Sequence, residues 1–263
     1  MKKYIVIGNP INHSLSPKIH NYWYKKTNII ASYEKRLLSK KDLPNIISEL
    51  KKEKIQGVNV TVPFKRDIVN LVDELSPEAK KTKTVNTLYY SDKTVVGHNT
   101  DIAGFELAMR YCKFDIQNKN VFILGAGGVV PSIIYALKNM NVGKITISNR
   151  TKEKANQLCA TYNDIEVVDW GKQINFDMII NATSIGLNNY EKIKIDFGRI
   201  EKGKFFYDVI YNPAETQFLR EARSYGHSTE NGKMMFIYQA HQAFSVWHKI
   251  FPKIDEETIN LIG

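Results

Sequence analysis

A glycine-rich turn between two apolar segments is the first candidate site in the 263-residue chain. The sequence VFILGAGGVV (121–130) predicts a hydrophobic strand, a turn containing Gly125, Gly127 and Gly128, and then a helix. Glycines permit a tight turn, and they let backbone N–H groups approach a pyrophosphate at a helix N-terminus. The pattern therefore indicates a dinucleotide site, although Val130 stands where the fingerprint has Gly or Ala.

Basic residues follow the next predicted strand, about twenty residues beyond the glycine turn. An NAD site places an acidic residue there to hold the ribose hydroxyls, whereas this chain has Asn149, Arg150 and Thr151, with Lys154 one turn later. A guanidinium and an ammonium suit a 2′-phosphate, so the pattern favours NADP over NAD. The alternative is that Arg150 is a surface residue at the start of a helix.

A second group of polar residues lies in the first hundred positions. Ser14 and Ser16 bracket a loop at a predicted helix N-terminus, where hydroxyl and free N–H groups can bind a carboxylate. Serine is also a favoured helix N-cap, so Ser16 has that alternative role. Ser14 lies outside the predicted helix and has no such alternative.

Further polar residues occur near the ends of later predicted strands. Asn59 and Thr61 alternate with three valines, so we expect both to face one side of a strand whose other side is apolar. Lys65 follows just beyond that strand, Asn86 interrupts another, and Asp101 lies at the junction of the two halves. Taken singly, an exposed lysine, a turn residue and a helix cap are equally good interpretations.

The elements that position these residues alternate between strand and helix, which predicts two α/β units with mainly parallel sheets. Strands are predicted over residues 3–7, 30–37, 56–62, 85–90, 94–98, 121–124, 145–148, 166–168, 178–181 and 205–208. Helices are predicted from Ser16, after Ser39, over 100–118, from the glycine turn to 139, and over 151–162, 214–225 and 233–249.

Composition and charge narrow the class of protein. Hydrophobic residues at 43% can supply a core, and charged residues at 24% exclude a disordered or collagen-like chain. The length favours one large or two modest domains. The net charge of +10 comes mostly from scattered lysines without an arginine-rich arm, so we expect solvated helix faces and neither a nucleic-acid nor a membrane partner.

Cysteine usage and the N-terminus indicate the compartment. Cys112 and Cys159 cannot build a disulfide framework and lack a metal-binding spacing, so we expect a cytoplasmic protein without structural zinc. The first apolar segment is too short for a signal-peptide core. The uncharged segment 121–137 contains three glycines and a proline, so strand, turn and helix describe it better than a membrane span.

Short segments taken together in chain order resemble the shikimate dehydrogenase family. The resemblance runs from Gly8 to about Trp247, and it departs from the family pattern at residues 129–131 and 234–236. The segments are HSLSP (13–17), NVTVPFK (59–65), VNT (85–87), GHNTD (97–101), GAGG (125–128), NRT (149–151), NATSIG (181–186), YD (207–208), YNP (211–213) with Thr216, and QA (239–240).

The resemblance implies a two-domain α/β enzyme. Residues 1–100, completed by the C-terminal helices of 237–263, would bind substrate, and 101–236 would form a Rossmann-like NADP domain. The implied reaction is reversible NADPH-dependent reduction of 3-dehydroshikimate to shikimate, a step of aromatic amino-acid biosynthesis. Alternatives are a quinate/shikimate dehydrogenase with broader substrate or cofactor range, and a non-catalytic dinucleotide-binding sensor.

The resemblance also implies roles for individual residues. Lys65 and Asp101 would be the catalytic pair. The substrate would contact both of these residues together with Ser14, Ser16, Thr61, Asn86, Tyr211 and Gln239. NADP would contact Gly125, Ala126, Gly127, Gly128, Val129, Asn149, Arg150, Thr151, Lys154, Thr183, Val209 and Gly232. No metal is expected. The expected partner is the small-molecule substrate, and the chain would be a monomer or a homodimer.

Overall fold

The computed structural model describes residues 1–188 and 192–263. It consists of two compact units: unit 1 comprises Met1–Phe105 with Ile237–Gly263, and unit 2 comprises Glu106–Phe236. The strands are β1 Lys2–Gly8, β2 Ala31–Leu37, β3 Gly57–Val60, β4 Glu74–Leu75, β5 Thr87–Ser91, β6 Thr94–His98, β7 Asn120–Leu124, β8 Lys144–Ser148, β9 Ile165–Val168, β10 Met178–Asn181, β11 Phe205–Asp208 and β12 Ser228–Glu230. The helices are α1 Ser16–Lys26, α2 Leu43–Lys51, α3 Pro77–Thr82, α4 Asp101–Cys112, α5 Val130–Asn139, α6 Lys152–Thr161, α7 Gln217–Ser224, α8 Lys233–His248 and α9 Glu256–Asn260.

Unit 1 contains a mixed six-stranded sheet with the order β2-β1-β3-β5-β6-β4. β1 pairs in parallel with β2 and β3, whereas β5 is antiparallel to both β3 and β6. Asp92 and Lys93 connect β5 to β6 with left-handed backbone angles, as a two-residue hairpin turn requires. The sheet is therefore parallel at β2, β1 and β3, and its other side contains the β5–β6 hairpin. Its apolar face packs with α2 in one core.

Unit 2 contains a fully parallel six-stranded sheet with the order β12-β11-β10-β7-β8-β9. The chain proceeds from β7 outward to β9 and then crosses over to β10 on the other side of β7. Ligands of such sheets bind beyond the carboxyl ends of the strands at this reversal of direction. The topology therefore makes the loops after β7, β8, β10 and β11 the candidate ligand site. This strand order is the predicted Rossmann-like arrangement.

Several predicted elements differ from the structure. The strand predicted over 56–62 ends at Val60, because Pro63 has no N–H to donate to a sheet ladder and the chain turns through a Phe64 N–H to Thr61 carbonyl bond of 2.9 Å. Val62, expected on the apolar side of that strand, is 57% exposed. The helix predicted over 100–118 ends at Cys112, followed by left-handed Lys113. The strands β4 and β12 and the helices α3 and α9 were not predicted.

The helices in the described ranges include none with the length and apolar content that a bilayer crossing needs. The segment 121–137, considered above as a membrane span, is divided between β7, the glycine turn and α5.

Candidate active site

An ion pair buried in unit 1 is the centre of the first site. Lys65 Nζ lies 2.6 Å from Asp101 Oδ2, and the two residues are only 8% and 3% exposed. Lys65 follows the turn after β3, and its carbonyl accepts from the Val85 N–H at 2.9 Å. Asp101 is the first residue of α4. The fold thus joins two residues 36 positions apart in sequence, and each charge is compensated by the other.

Asn86 fixes the second oxygen of the Asp101 carboxylate. Its Nδ2 lies 2.9 Å from Asp101 Oδ1, 2.9 Å from Thr100 Oγ1 and 3.4 Å from Gln239 Oε1. Its Oδ1 accepts from the Thr100 N–H at 2.8 Å. Asn86 therefore bridges Asp101, at the start of α4, and Gln239 on the helix α8. Lys65 joins this network through its ion pair with Asp101.

A second layer of polar side chains supports Asn86. Asn59 Nδ2 donates to the Asn86 carbonyl at 3.1 Å and to Thr87 Oγ1 at 3.0 Å, while Asn59 Oδ1 accepts from Tyr33 Oη at 2.6 Å. The roles of Tyr33, Thr87 and Thr100 were missed at the sequence level. The only available signal was that Thr87 and Thr100 lie inside segments that carry the family resemblance.

Ser14 and Ser16 form a pair of neighbouring hydroxyls at the start of α1. Ser14 Oγ donates to Ser16 Oγ at 3.2 Å and accepts from the Ser16 N–H at 3.3 Å. The alternative N-cap role of Ser16 is wrong, because Leu15 is the N-cap residue and Ser16 already belongs to the helix. Both serines are buried, so their hydroxyls already lie largely out of solvent.

The remaining predicted substrate residues are distributed over both units. Thr61 is half-buried just after β3, and its N–H donates to the Ile7 carbonyl at 2.9 Å. Gln239 is half-buried on α8 beside Asn86. Tyr211 belongs to unit 2, where its ring stacks on Phe236 with centroids 4.3 Å apart. The structure therefore joins Lys65, Asn86, Asp101 and Gln239 in one network, pairs Ser14 with Ser16, and places Tyr211 on the other unit.

The glycine turn after β7 is the first part of the site in unit 2. Gly125 has a φ of 114°, and a Cβ there would lie 2.7 Å from the Ala182 carbonyl oxygen, so a side chain is excluded. Its N–H donates to the Ser148 carbonyl at 2.8 Å. Residues 126–129 then lead into α5, where the N–H groups of Val130, Ser132 and Ile133 already donate to the carbonyls of Gly127 and Val129, so the N–H groups that can face a ligand are those of the turn itself. This cradle fits a pyrophosphate.

A cavity of about 380 Å³ lies beside β7 and β10, and its wall is mostly apolar, with Phe122, Leu124 and Ile179 among its residues. Arg150 lines it together with Trp170, Lys172 and Lys192. The neighbouring Asn149 and Thr151 connect β8 to α6 through an Asn149 Nδ2 to Thr151 carbonyl bond of 2.7 Å, and Lys154 is exposed in the first turn of α6. An aromatic ring among cationic side chains suits the adenosine and 2′-phosphate of NADP.

The loops after β10 and β11 hold the other predicted cofactor residues. Asn181 Oδ1 accepts from both the N–H and the hydroxyl of Thr183, at 3.1 and 2.7 Å. The Asn181 carbonyl accepts from the Val209 N–H at 3.0 Å. Gly232 lies against this loop so closely that a Cβ there would be 2.2 Å from the Val209 carbonyl oxygen. Thr183, Val209 and Gly232 are therefore held close together.

Asp208, at the end of β11, is a buried carboxylate beneath these loops. Burial raises its pKa to about 6, although hydrogen bonds from Thr216, the Ile210 N–H and Asn181 oppose that shift. Within the described ranges, no basic side chain lies within 4.0 Å of it, and no group of three or more acidic, histidine or cysteine side chains is arranged to hold a metal ion.

Comparison with known proteins identifies the family. Family models for the shikimate dehydrogenase substrate binding domain and for shikimate / quinate 5-dehydrogenase match residues 6–88 and 106–209. The shikimate dehydrogenase (NADP(+)) of Pelagibacter ubique is 56% identical over 261 residues, which cover 99% of this chain and 98% of that protein. The chain belongs to the shikimate dehydrogenase family.

Solved structures of the family share the fold. Shikimate dehydrogenase from Aquifex aeolicus is 31% identical and has a TM-score of 0.92, with 100% of this chain and 97% of that chain covered. Shikimate 5-dehydrogenase from Thermus thermophilus, solved in complex with NADP(H) and shikimate, is 28% identical with a TM-score of 0.90, covering 100% and 98%. The predicted family and α/β fold class are confirmed.

Proposed function

We propose that this chain catalyses the reversible reduction of 3-dehydroshikimate to shikimate with NADPH as the hydride donor. Family membership supplies the reaction class, and the Lys65–Asp101 pair is the observation on which the catalytic assignment rests. When bound, the cofactor supplies or accepts the hydride. The chain's own residues must hold the ketone in position and move one proton.

Lys65 performs the proton transfer in this proposal. As hydride adds to the carbonyl carbon, negative charge develops on the ketone oxygen, and an ammonium stabilises that charge and donates a proton to the oxygen. In the reverse direction, the amine accepts the proton from the shikimate hydroxyl. Asp101, 2.6 Å from Nζ, holds the ammonium in place and keeps its own acceptor capacity for a substrate hydroxyl.

The substrate is a hydroxylated ring acid, and the polar residues divide its groups between them. Ser14 and Ser16 bind the carboxylate, because two adjacent hydroxyls and a helix N-terminus favour a negative charge. The ring hydroxyls are bound by neutral donors and acceptors and by Asp101. In this assignment those side chains are Thr61, Asn86, Tyr211 and Gln239.

NADP is held by unit 2. The glycine turn of residues 125–129 binds the pyrophosphate, and Arg150, with Asn149, Thr151 and Lys154 beside it, binds the adenosine ribose and its 2′-phosphate. Thr183, Val209 and Gly232 contact the nicotinamide half. Arg150 supports NADP rather than NAD, since its guanidinium can form paired hydrogen bonds with the 2′-phosphate that NAD lacks.

A steady-state assay tests the reaction. We expect reduction of NADP with shikimate, a much lower kcat/KM for quinate, and a much lower kcat/KM for NAD with either substrate. Equal turnover of quinate would favour the broader quinate/shikimate activity. Tight NADP binding without any turnover would contradict catalysis and favour the sensor alternative.

We infer a cytoplasmic location and a monomeric or homodimeric state. Both cysteines are free thiols, which suits a reducing compartment. Sedimentation of the purified enzyme distinguishes the two assembly states.

A further inference from the structure

We propose that Asp208 is a positioning residue for the nicotinamide half of NADP. Its buried carboxylate organises the two loops that carry Thr183 and Val209, although Asp208 itself contacts no ligand in this proposal. The inference rests on the proposed cofactor site. We call Asn181, Thr183, Asp208 and Thr216 the Asp208 network.

The order of strands in unit 2 places this network at one end of the dinucleotide. The pyrophosphate cradle follows β7, and Arg150 follows β8 on one side of it. β10 and β11 lie on the other side of β7. Because a dinucleotide extends in both directions from its pyrophosphate across the switch point, a cofactor with its adenosine at β8 has its nicotinamide over β10 and β11.

One carboxylate fixes both loops at that end. Asp208 Oδ1 accepts from the Ile210 N–H at 3.0 Å, and Oδ2 accepts from Thr216 Oγ1 at 2.6 Å. Asn181 Nδ2 donates to both oxygens at 3.1 Å. The Asn181 Oδ1 in turn orients Thr183, whose hydroxyl accepts from the Ile185 N–H at 3.0 Å. The geometry of both loops therefore depends on Asp208.

If Asp208 served only to hold two loops together, burying its carboxylate would cost the fold more free energy than burying a neutral side chain. A fully buried carboxylate is unfavourable without a counterion, and in the described part of the chain it receives hydrogen bonds only from neutral donors. Each of those donors belongs to, or flanks, a loop with a predicted cofactor residue. Thr216 also caps α7 by accepting from the Leu219 N–H, so the network links the second loop to a helix.

The test compares NADP with 2′,5′-ADP, which carries the adenosine and the 2′-phosphate but no nicotinamide. Asp208→Asn keeps the shape but turns one acceptor oxygen into a donor, opposite groups that already donate. We expect the KM for NADP to rise at least fivefold and kcat to fall at least tenfold. The inhibition constant of 2′,5′-ADP should stay within twofold of the unsubstituted enzyme.

The outcomes separate this inference from the proposed function. Equal weakening of NADP and 2′,5′-ADP would show a general structural role and overturn the inference, as would unchanged kinetics with NADP. Failure of 2′,5′-ADP to inhibit the unsubstituted enzyme competitively with NADP would overturn the proposed cofactor site and, with it, the inference.

A second pair of variants covers the case in which Asp208→Asn does not fold. Thr216→Val removes the hydroxyl that donates to Asp208, whereas Thr216→Ser retains it. We expect Thr216→Val to raise the KM for NADP at least threefold and to leave the inhibition constant of 2′,5′-ADP unchanged. Thr216→Ser should have the KM of the unsubstituted enzyme. Ile165→Ala, in the edge strand β9 on the opposite side of the sheet, is the control for lost stability. A rise in KM for Ile165→Ala equal to that of Thr216→Val would overturn the inference.

Discussion

In the residues that the structure describes, each unit buries one carboxylate, and the two are stabilised in different ways. Asp101 in unit 1 faces the Lys65 ammonium at 2.6 Å, whereas Asp208 in unit 2 is surrounded by neutral donors in the described part of the chain. In an ion pair, the ammonium can donate a proton to a ligand and accept it back, because the neighbouring carboxylate stabilises the protonated form. A carboxylate held by amide and hydroxyl donors is suited to fixing the backbone around it.

In the proposed function, the two sites also recognise different ligands by different means. Unit 1 uses side chains connected to one another, such as Asn59, Asn86 and Asp101, which suits a small polyhydroxylated acid. Unit 2 uses a glycine turn and backbone N–H groups, which suit the extended phosphate backbone of a dinucleotide. The following substitutions test whether the charges of unit 1 act in catalysis and those of unit 2 in binding.

Removal of Lys65 is expected to have the largest effect. Lys65→Ala should lower kcat by about 10²- to 10⁴-fold, the usual contribution of a general acid–base group, with little change in the KM for shikimate. Because the substitution leaves Asp101 buried without its partner, thermal unfolding must be measured alongside the kinetics. The double variant with Asp101→Ala should lose much less than the product of the single losses. A fully active Lys65→Ala enzyme would contradict the mechanism.

Removal of Arg150 is expected to affect binding and not turnover. Hydrogen bonds to charged groups contribute about 1.5–3 kcal/mol, so Arg150→Ala should raise the KM for NADP by roughly 10- to 100-fold. The KM for NAD, which lacks the 2′-phosphate, should hardly change. Arg199→Ala, which removes an exposed guanidinium from a surface pair with Asp196, is the matched control. Equal losses with both cofactors would assign Arg150 a structural role.

The sequence predicts unit 2 more completely than unit 1. β10 and β11 end where they were predicted, at Asn181 and Asp208, because their apolar residues are contiguous and buried on both faces. In unit 1, proline chemistry at residue 63 shortens β3 and turns Val62 outward. A contiguous apolar segment in the sequence indicates a strand. The residue at which that strand ends can depend on whether one backbone N–H is present to donate to the sheet.

The side-chain network of unit 1 has no sequence signature of its own. Asn86 and Gln239 are 153 positions apart, and Tyr33 and Asn59 are 26 apart, so no local spacing links them. Only tertiary folding brings such pairs together. The family resemblance indicated Asn86 and Gln239 because whole motifs were compared, but it gave no reason to select Tyr33. In the same way, Asp208 was one residue of a motif until its buried contacts were known.

The pH dependence of stability provides a third contrast between the units. His20 is fully buried in unit 1, stacked 4.3 Å from the Tyr33 ring, and burial lowers its pKa from 6.5 to about 3. Since the folded pKa lies below the unfolded one, the stabilisation is complete above pH 6.5 and is lost as the pH falls. The contribution of Asp208 to folding stability depends on pH in the opposite direction. Because its pKa is raised in the folded state, that contribution becomes more favourable as the pH falls from about 6 towards 4.

His20→Phe isolates the contribution of unit 1. In a Trp170→Phe background, the fluorescence of Trp23 and Trp247 reports on unit 1 alone. Between about pH 7 and pH 5, the free energy of unfolding measured in urea should fall by about 2 kcal/mol more with His20 than with Phe. His248, whose pKa burial lowers to about 4, remains in both proteins, and its repulsion of a protonated His20 is part of the difference measured. Parallel pH curves for the two proteins would contradict a buried neutral His20.

The smallest expected effect is at the substrate carboxylate, and it tests whether the hydroxyl pair of unit 1 binds a charge without taking part in proton transfer. Ser14→Ala should weaken shikimate binding by about tenfold and leave the KM for NADP unchanged, since one hydrogen bond to a charged group is lost. Ser14 lies outside α1, so this variant removes the 3.3 Å acceptor of the Ser16 N–H and the donor to Ser16 Oγ, whereas Ser16→Ala changes a residue of the helix itself. Ser48→Ala, on α2, is a control for the loss of a serine hydroxyl. A fall in kcat with KM unchanged would place Ser14 with Lys65 in the chemical step, and unchanged kinetics would show that the carboxylate binds elsewhere.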